Sequence, residues 1–264
     1  MNAHEKVLNL LSKINKDVDL KDELQTEIDP SIYFRRNSVN LLVGKKGSGK
    51  TYNVFREVIK LRYVDNHNYT KMLYVTNKPY DPTFSRIKDL MPIQVEKIPY
   101  DEAVEKINEL SEAKKAIVEI KQHNINTDDL DHQELDQVLG TDITGKGEVF
   151  HSIVLLDDCQ FLFEKRTKEN LALWKLLFEN RQPKITYFLT LQDPKGLDSS
   201  IKEALDSVWV FGGFTQMKFN YIMRNIPHEH DTYDIWVIYR QLTKNQAVVF
   251  TNTESGTTAA ILKC

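Results

Sequence analysis

The sequence predicts an α/β protein, a three-layer sandwich in which helices cover both faces of a mainly parallel β-sheet. Short apolar runs alternate with helical segments along most of the chain, which is the pattern of a parallel sheet with covering helices. A glycine-rich stretch at 44–51 stands between one such run and a helical segment. A length of 264 residues, with 41% hydrophobic and 28% charged residues, suits a folded domain with a full core.

The elements are expected in a regular order. Runs rich in β-branched and aromatic residues predict strands at 39–43, 72–76, 153–156, 185–191 and 208–211. Helical spacing of apolar residues predicts helices at 51–63, 101–122, 168–180 and 198–206. Two further β-rich runs, 235–239 and 247–250, are separated by a short polar loop. They predict a C-terminal β-hairpin added to the sheet or packed beside it.

Two segments depart from this alternation. Residues 1–30 carry apolar residues at helical spacing among polar ones and predict an amphipathic helix ahead of the main domain, 31–264. Docking on a partner and packing on its own domain are both open roles for that helix. Residues 123–149 combine acidic residues with several glycines, so we expect a flexible insertion there.

Composition narrows the function classes. The net charge of -3 excludes a surface that is basic throughout, so any nucleic-acid contact must be local. Two cysteines are too few for a disulfide framework or a zinc cluster. The charged start lacks the apolar core of a signal peptide, and no run approaches the roughly 18 apolar residues of a membrane span. We expect a protein that is not secreted and has no transmembrane segment of its own.

The stretch 44–51 reads Gly-Lys-Lys-Gly-Ser-Gly-Lys-Thr and matches G-x-x-x-x-G-K-[ST] in full. Backbone N–H groups of such a loop form an anion nest at a helix N-terminus. Lys50 would reach the β- and γ-phosphates of ATP, and the Thr51 hydroxyl would coordinate Mg²⁺. For Lys45 and Lys46 a solvated charge pair remains an equal alternative. The predicted nucleotide-binding residues are Gly44, Lys45, Lys46, Gly47, Ser48, Gly49, Lys50 and Thr51.

Two consecutive acids follow the apolar run 153–156. This arrangement is typical of the strand that brings carboxylates to the metal and the attacking water of a phosphate-loop enzyme. Asp157 would hold the Mg²⁺ shell, and Asp158 would orient or deprotonate the water. We therefore expect hydrolysis of ATP rather than binding alone.

The strand at 185–191 is flanked by two further candidates. Gln192 at its end reaches the γ-phosphate if this strand lies between strands 39–43 and 153–156. Arg181, just before it, is a candidate arginine finger that acts on a neighbouring subunit. Arg224 and Arg35 are the alternatives for that role.

In this order, the motifs resemble the FtsK–HerA superfamily of P-loop ATPases, over about residues 32–212. The likeness is to the genome-packaging ATPases of large eukaryotic DNA viruses, virophages and related membrane-containing viruses. It implies sheet order 5-1-4-3-2 with an additional strand beside the phosphate-loop strand. It also implies a homo-oligomeric ring, pentamer or hexamer, with arginine fingers in trans. The residues that carry the resemblance are 44–51, 153–158, Arg181 and Gln192.

The function that the resemblance implies is ATP-driven translocation of double-stranded DNA into a capsid. Capsid or inner-membrane vertex proteins are the further expected partners, in the host cytoplasm, a viral factory or the virion. Two alternatives remain open, a small-molecule phosphotransferase (kinase) and a nucleotide-gated assembly protein. The long interval between Thr51 and Asp157, with room for an extra strand and helix, and Gln192 favour the motor over the kinase.

Overall fold

The computed structural model describes residues 34–64, 68–122, 150–164, 167–195, 197–243, 245–253 and 256–262. The amphipathic segment at 1–30 and the acidic insertion at 123–149 lie outside these residues. Both therefore stay predictions.

An eight-stranded β-sheet forms the middle layer, in the order β3-β2-β4-β5-β1-β6-β7-β8. The first six strands of that order pair in parallel. The last two join in antiparallel fashion. The strands are β1 (Val39–Val43), β2 (Tyr69–Val75), β3 (Gln94–Ile98), β4 (His151–Leu156), β5 (Ile185–Leu191), β6 (Ser207–Phe211), β7 (Ala247–Thr253) and β8 (Gly256–Leu262).

The expected strand order is confirmed. Numbering only the five predicted core strands, β6-β1-β5-β4-β2 is the order 5-1-4-3-2, and β5 is the additional strand between β1 and β4. The prediction missed β3, which pairs with β2 at the sheet edge and is largely polar, Gln-Val-Glu-Lys-Ile. A half-exposed edge strand lacks the apolar run that identifies a buried one.

Helices cover both faces of the sheet, as the three-layer prediction requires. Leu42 of β1 packs into one core with α1 and α2. Leu41 and Val43 pack into the other with α3, α5, α7 and α8. Within the described chain no helix is both long and apolar enough to cross a bilayer. The helices are α1 (Lys50–Lys60), α2 (Pro82–Ile87), α3 (Ala103–Gln122), α4 (Phe161–Glu164), α5 (Lys168–Phe178), α6 (Ser199–Glu203), α7 (Gln216–Met223) and α8 (Thr232–Tyr239).

The C-terminal hairpin exists, but one predicted strand was wrong. Residues 235–239 belong to α8, and β7 pairs instead with β8. The carboxylate of Asp231 caps the helix by accepting hydrogen bonds from the backbone N–H groups of Tyr233 (2.7 Å) and Asp234 (3.2 Å). Ile235 and Tyr239, four residues apart, form its buried face. The cap and this helical spacing outweigh the β propensity of the run.

Candidate nucleotide-binding site

Except for Arg181, the predicted site residues gather where three parallel strands end. Val43 of β1 lies beside Leu191 of β5, and Leu156 of β4 lies beside Leu189 of the same strand. The N–H of Gly44 donates a 3.1 Å hydrogen bond to the carbonyl of Leu191, which ties the glycine-rich loop to β5. The loop and the two acids therefore meet at the carboxyl ends of the strands, where α/β folds bind ligands.

Residues 44–51 form a turn that leads from β1 into α1. Gly49, at the helix N-cap, has a φ of 85°, a left-handed conformation that favours glycine. A Cβ on Gly44 would lie 2.9 Å from Cβ of Phe211, so no larger residue fits beside β6. The ammonium of Lys50 donates to the carbonyls of Gly44 (2.7 Å) and Lys45 (3.2 Å). The loop thus curls around its own lysine.

Lys50 is a buried cation with only 6% of its surface exposed. Burial lowers the pKa of Lys50, while the charges of Asp158 and Asp157 oppose that shift. The pKa remains below its ordinary value, so the carboxylates compensate the ammonium only in part. A phosphate anion at the loop would complete this compensation.

Asp157 is fully buried, directly after β4. Its carboxylate accepts hydrogen bonds from residues of α1, β2 and β5 and from Lys78. Its Oδ1 accepts hydrogen bonds from the hydroxyls of Thr51 (2.5 Å) and Thr190 (2.9 Å). Its Oδ2 accepts from the ammonium of Lys78 (2.6 Å) and the hydroxyl of Tyr74 (3.4 Å). These donors hold the carboxylate in one orientation, with one oxygen at the start of α1.

Asp158 differs from its neighbour in conformation and exposure. Its φ of 52° turns the chain sharply after β4. Its N–H donates to the hydroxyl of Thr190 at 2.8 Å, and its Oδ2 lies 3.1 Å from the ammonium of Lys78. The Asp158 side chain is 32% exposed, whereas that of Asp157 is 1% exposed. The accessible acid suits contact with water, and the buried acid suits a fixed metal contact.

Three further residues of this network had no predicted role. Thr190 hydrogen-bonds to both acids, and Lys78 pairs with both. Tyr100 donates its hydroxyl to the backbone carbonyl of Asp157. Thr190 is one of two threonines in the run 185–191, so its residue type alone does not single it out. Lys78 follows β2, which lies next to β4 only because of the strand order.

Gln192 follows β5 directly and lies at the same end of the sheet, with its side chain exposed. The prediction for Gln192 required its strand to lie between the phosphate-loop strand and the strand before the two acids. This requirement is met, because β5 lies between β1 and β4. Lys45 and Lys46 are also exposed, and the Lys45 ammonium lies 5.8 Å from the ring centroid of Phe214.

Arg181 is not brought together with the other site residues of its own chain. It precedes β5 and so lies at the amino end of the sheet, opposite Lys50. Its side chain is 81% exposed, and its guanidinium is 3.8 Å from Asp206. This position keeps Arg181 away from the phosphate loop of its own chain. Of the two alternatives, Arg35 donates to the carbonyl of Asn252 (3.3 Å), and Arg224 lines a cleft of about 460 Å³ beside α7.

The residues present fit Mg²⁺ and a nucleotide. The Ser48 hydroxyl oxygen is buried and has no hydrogen-bond partner in the described structure, so it is free to meet a phosphate. Thr51 and Asp157 supply the hard oxygen atoms that Mg²⁺ prefers. No group of three His, Cys, Asp or Glu in the described ranges is placed to hold a metal. Thr51, Asp157 and the phosphates themselves would hold the ion.

Searches of solved structures found several ATPases with a similar fold. The DNA-packaging ATPase B204 from Sulfolobus turreted icosahedral virus is 15% identical, with a TM-score of 0.53 over 87% of this chain and 98% of that chain. The genome-packaging NTPase B204 from Sulfolobus turreted icosahedral virus 2, solved with ATP-γS, is 17% identical, with a TM-score of 0.53 over 89% and 98%. EssC, ATPases 2 and 3, from Geobacillus thermodenitrificans is 12% identical, with a TM-score of 0.56 over 85% of this chain and 39% of that chain.

No protein-family model matches the sequence, and no curated protein matches it either. At these identities the structural likeness shows the fold alone. That fold is the α/β sandwich of P-loop ATPases, as the resemblance found in the sequence implies.

Proposed function

We propose that the protein is an ATP-hydrolysing motor that translocates double-stranded DNA, and that it packages a viral genome into a capsid. The observation that carries the ATPase part is the junction at Asp157, where Thr51 of the phosphate loop and Thr190 of the additional strand share one carboxylate oxygen. The solved packaging ATPases with the same fold support the DNA part.

The site residues have separate roles in this proposal. The backbone of residues 44–51 and the Lys50 ammonium bind the phosphates. Thr51 and Asp157 would hold Mg²⁺, which when bound would neutralise charge on the β- and γ-phosphates. Asp158 accepts a proton from the attacking water or orients it, and Gln192 contacts the γ-phosphate from the end of β5. Because Lys50 is buried, it favours an anionic partner over water.

A ring of identical subunits, a pentamer or hexamer, completes the proposal. Arg181 lies at the sheet edge opposite its own phosphate loop and is largely exposed. It can therefore act only on the site of a neighbouring subunit, as arginine fingers do in trans. Capsid or inner-membrane vertex proteins would anchor the ring, in the host cytoplasm, a viral factory or the virion.

ATP hydrolysis measured with and without duplex DNA tests this function, with light scattering used to follow the oligomeric state. We expect Mg²⁺-dependent hydrolysis by an oligomer and an increase in rate on addition of duplex DNA. Hydrolysis that duplex DNA leaves unchanged would retain the ATPase and remove the translocase. Tight ATP binding that drives assembly without turnover would instead support a nucleotide-gated assembly protein, and phosphate transfer to a small acceptor would support a kinase.

A further inference from the structure

Lys78 places a positive charge between the two acids of the site. Its ammonium lies 2.6 Å from Oδ2 of Asp157 and 3.1 Å from Oδ2 of Asp158. Two neighbouring carboxylates repel each other, and a cation between them offsets this repulsion because it attracts both. Among the described residues, Lys78 forms an ion pair with each of them.

The loop that carries Lys78 is held on several sides. The backbone N–H of Lys78 donates to the hydroxyl of Thr76 at 3.2 Å. The side-chain oxygen of Asn77 accepts from the backbone N–H of Tyr100 at 2.8 Å. The Lys97 ammonium donates to the carbonyl of Lys78 and, at 3.2 Å, to that of Pro79. A backbone fixed in this way directs the lysine toward the acids rather than into solvent.

The charge balance agrees with this geometry. Burial lowers the pKa of Lys78, but the hydrogen bond and charge of Asp157, and then of Asp158, outweigh it, so the pKa lies above its ordinary value. Asp158 in turn is the carboxylate that acts most strongly on Lys50. Asp158 therefore interacts electrostatically with both Lys78 and Lys50.

Building on the proposed ATPase function, we propose that Lys78 is a positioning residue, which orients Asp158 toward the attacking water and shares Asp157 with Mg²⁺. It acts through the carboxylates rather than on the nucleotide. Removal of the Lys78 charge is therefore expected to weaken hydrolysis and to strengthen metal binding. Hydrolysis slows because Asp158 loses its fixed orientation. Metal binding tightens because Mg²⁺ no longer meets a second cation beside Asp157.

The test compares Lys78→Met with wild type and with a matched control, Lys106→Met. Lys106 pairs with Glu109 at 3.0 Å on the surface of α3, so its replacement also removes one lysine and one ion pair. Two quantities are measured, kcat for ATP hydrolysis and the Mg²⁺ concentration that half-saturates binding of a fluorescent ATP analogue. The second does not depend on turnover. Thermal melting confirms that each variant is folded.

For Lys78→Met we expect kcat to fall by roughly 10- to 100-fold, part of what a general base contributes. The half-saturating Mg²⁺ concentration should fall by about threefold or more. Lys78→Arg, whose guanidinium can bridge two carboxylates, should recover much of kcat. In an Asp158→Asn background Lys78→Met should change kcat by less than about twofold, because the two residues act as one unit. Lys106→Met should match wild type throughout.

Three results would overturn the positioning role. A higher kcat in Lys78→Met would mean that Lys78 restrains Asp158. A higher Mg²⁺ requirement together with a lower kcat would mean that the site has merely loosened. Full additivity with Asp158→Asn would mean that Lys78 acts elsewhere. Failure of the wild-type protein to bind the analogue or to hydrolyse ATP would instead remove the proposed ATPase function.

Discussion

The hydroxyl of Thr51 donates a 2.5 Å hydrogen bond to Oδ1 of Asp157, across 106 positions of sequence. Thr51 lies in the first turn of α1 and Asp157 directly follows β4. They are the two predicted ligands of Mg²⁺. A metal ion held between a threonine hydroxyl and a carboxylate needs these two oxygen atoms close together. The fold therefore brings the two predicted Mg²⁺ ligands into contact with each other.

Replacement of Asp158 and replacement of Asp157 should impair different steps, hydrolysis and Mg²⁺ binding respectively. Asp158→Asn should bind Mg²⁺-ATP normally and hydrolyse it on the order of 10²- to 10⁴-fold more slowly, because an amide is a poor proton acceptor. Asp157→Asn should raise the Mg²⁺ concentration needed for binding, because a charged metal contact is lost. Titrations of a fluorescent ATP analogue against Mg²⁺, with parallel rate measurements, distinguish them. Equal Mg²⁺ requirements in the two variants would contradict the separate roles.

The Thr190 hydroxyl hydrogen-bonds to both acids, so stability and activity should depend on this hydroxyl more than on the size of the side chain. Thr190→Val keeps the volume but leaves the N–H of Asp158 and Oδ1 of Asp157 each short of a partner. We expect the free energy of unfolding to fall by about 1–3 kcal/mol, with a loss of ATPase activity. Thr190→Ser keeps the hydroxyl and should retain hydrolysis. Urea denaturation and ATPase rates test this. An active Thr190→Val would show that the bridge is dispensable.

Arg181 provides a test of the ring. Arg181→Ala should bind ATP nearly normally and hydrolyse it roughly 10³- to 10⁵-fold more slowly, the range known for arginine fingers. Mixed with Lys50→Ala subunits, it should regain some activity, because one interface then combines an intact phosphate loop with an intact finger. The same mixture made with Lys50→Ala, Arg181→Ala double variants serves as the control. Mixed rings without rescue would transfer the role to Arg224 or Arg35.

Buried Lys114 should make stability depend on pH. It is 2% exposed, and its ammonium nitrogen contacts the carbonyl of Phe150 (2.6 Å) and the hydroxyl of Ser152 (2.9 Å). Burial, assisted by the charge of Lys184, lowers its pKa from 10.5 to about 7. Between these two values the folded protein has released a proton that the unfolded chain retains. The free energy of unfolding should therefore rise with pH across this window.

Lys114→Met should remove that rise. Urea denaturation at about pH 7 and about pH 9 measures it, and Lys106→Met, on the same helix, is the control that should keep it. An equal rise in wild type and Lys114→Met would show that other groups cause the pH dependence.

Much of the sheet could be predicted because its central strands are buried on both faces. The bounds of β1 and β5 match the predicted runs 39–43 and 185–191, and every residue in both strands is buried. Burial on both faces produces a continuous apolar run, which is visible in a sequence. The edge strand β3 and the last strand β8 are partly exposed and gave no such signal.

The site was predictable where local sequence specifies it and not where the strand order does. The loop 44–51 and the pair Asp157 and Asp158 carry their pattern in consecutive residues. Lys78 and Thr190 reach the acids only because β2 and β5 flank β4 in the sheet. Such contacts become visible once the strand pairing is known.

The central claim is that residues 44–51 bind ATP for hydrolysis. Lys50→Ala tests it most directly, because this change removes a phosphate contact from a loop that bounds the site. The control is Lys175→Ala, an exposed lysine on α5 whose side chain is 74% exposed. The measurement is Mg²⁺-dependent phosphate release by wild type and both variants, with circular dichroism to confirm folding. We expect hydrolysis by wild type and Lys175→Ala, and none by a folded Lys50→Ala. Unchanged hydrolysis by Lys50→Ala would contradict the assignment of the phosphate loop.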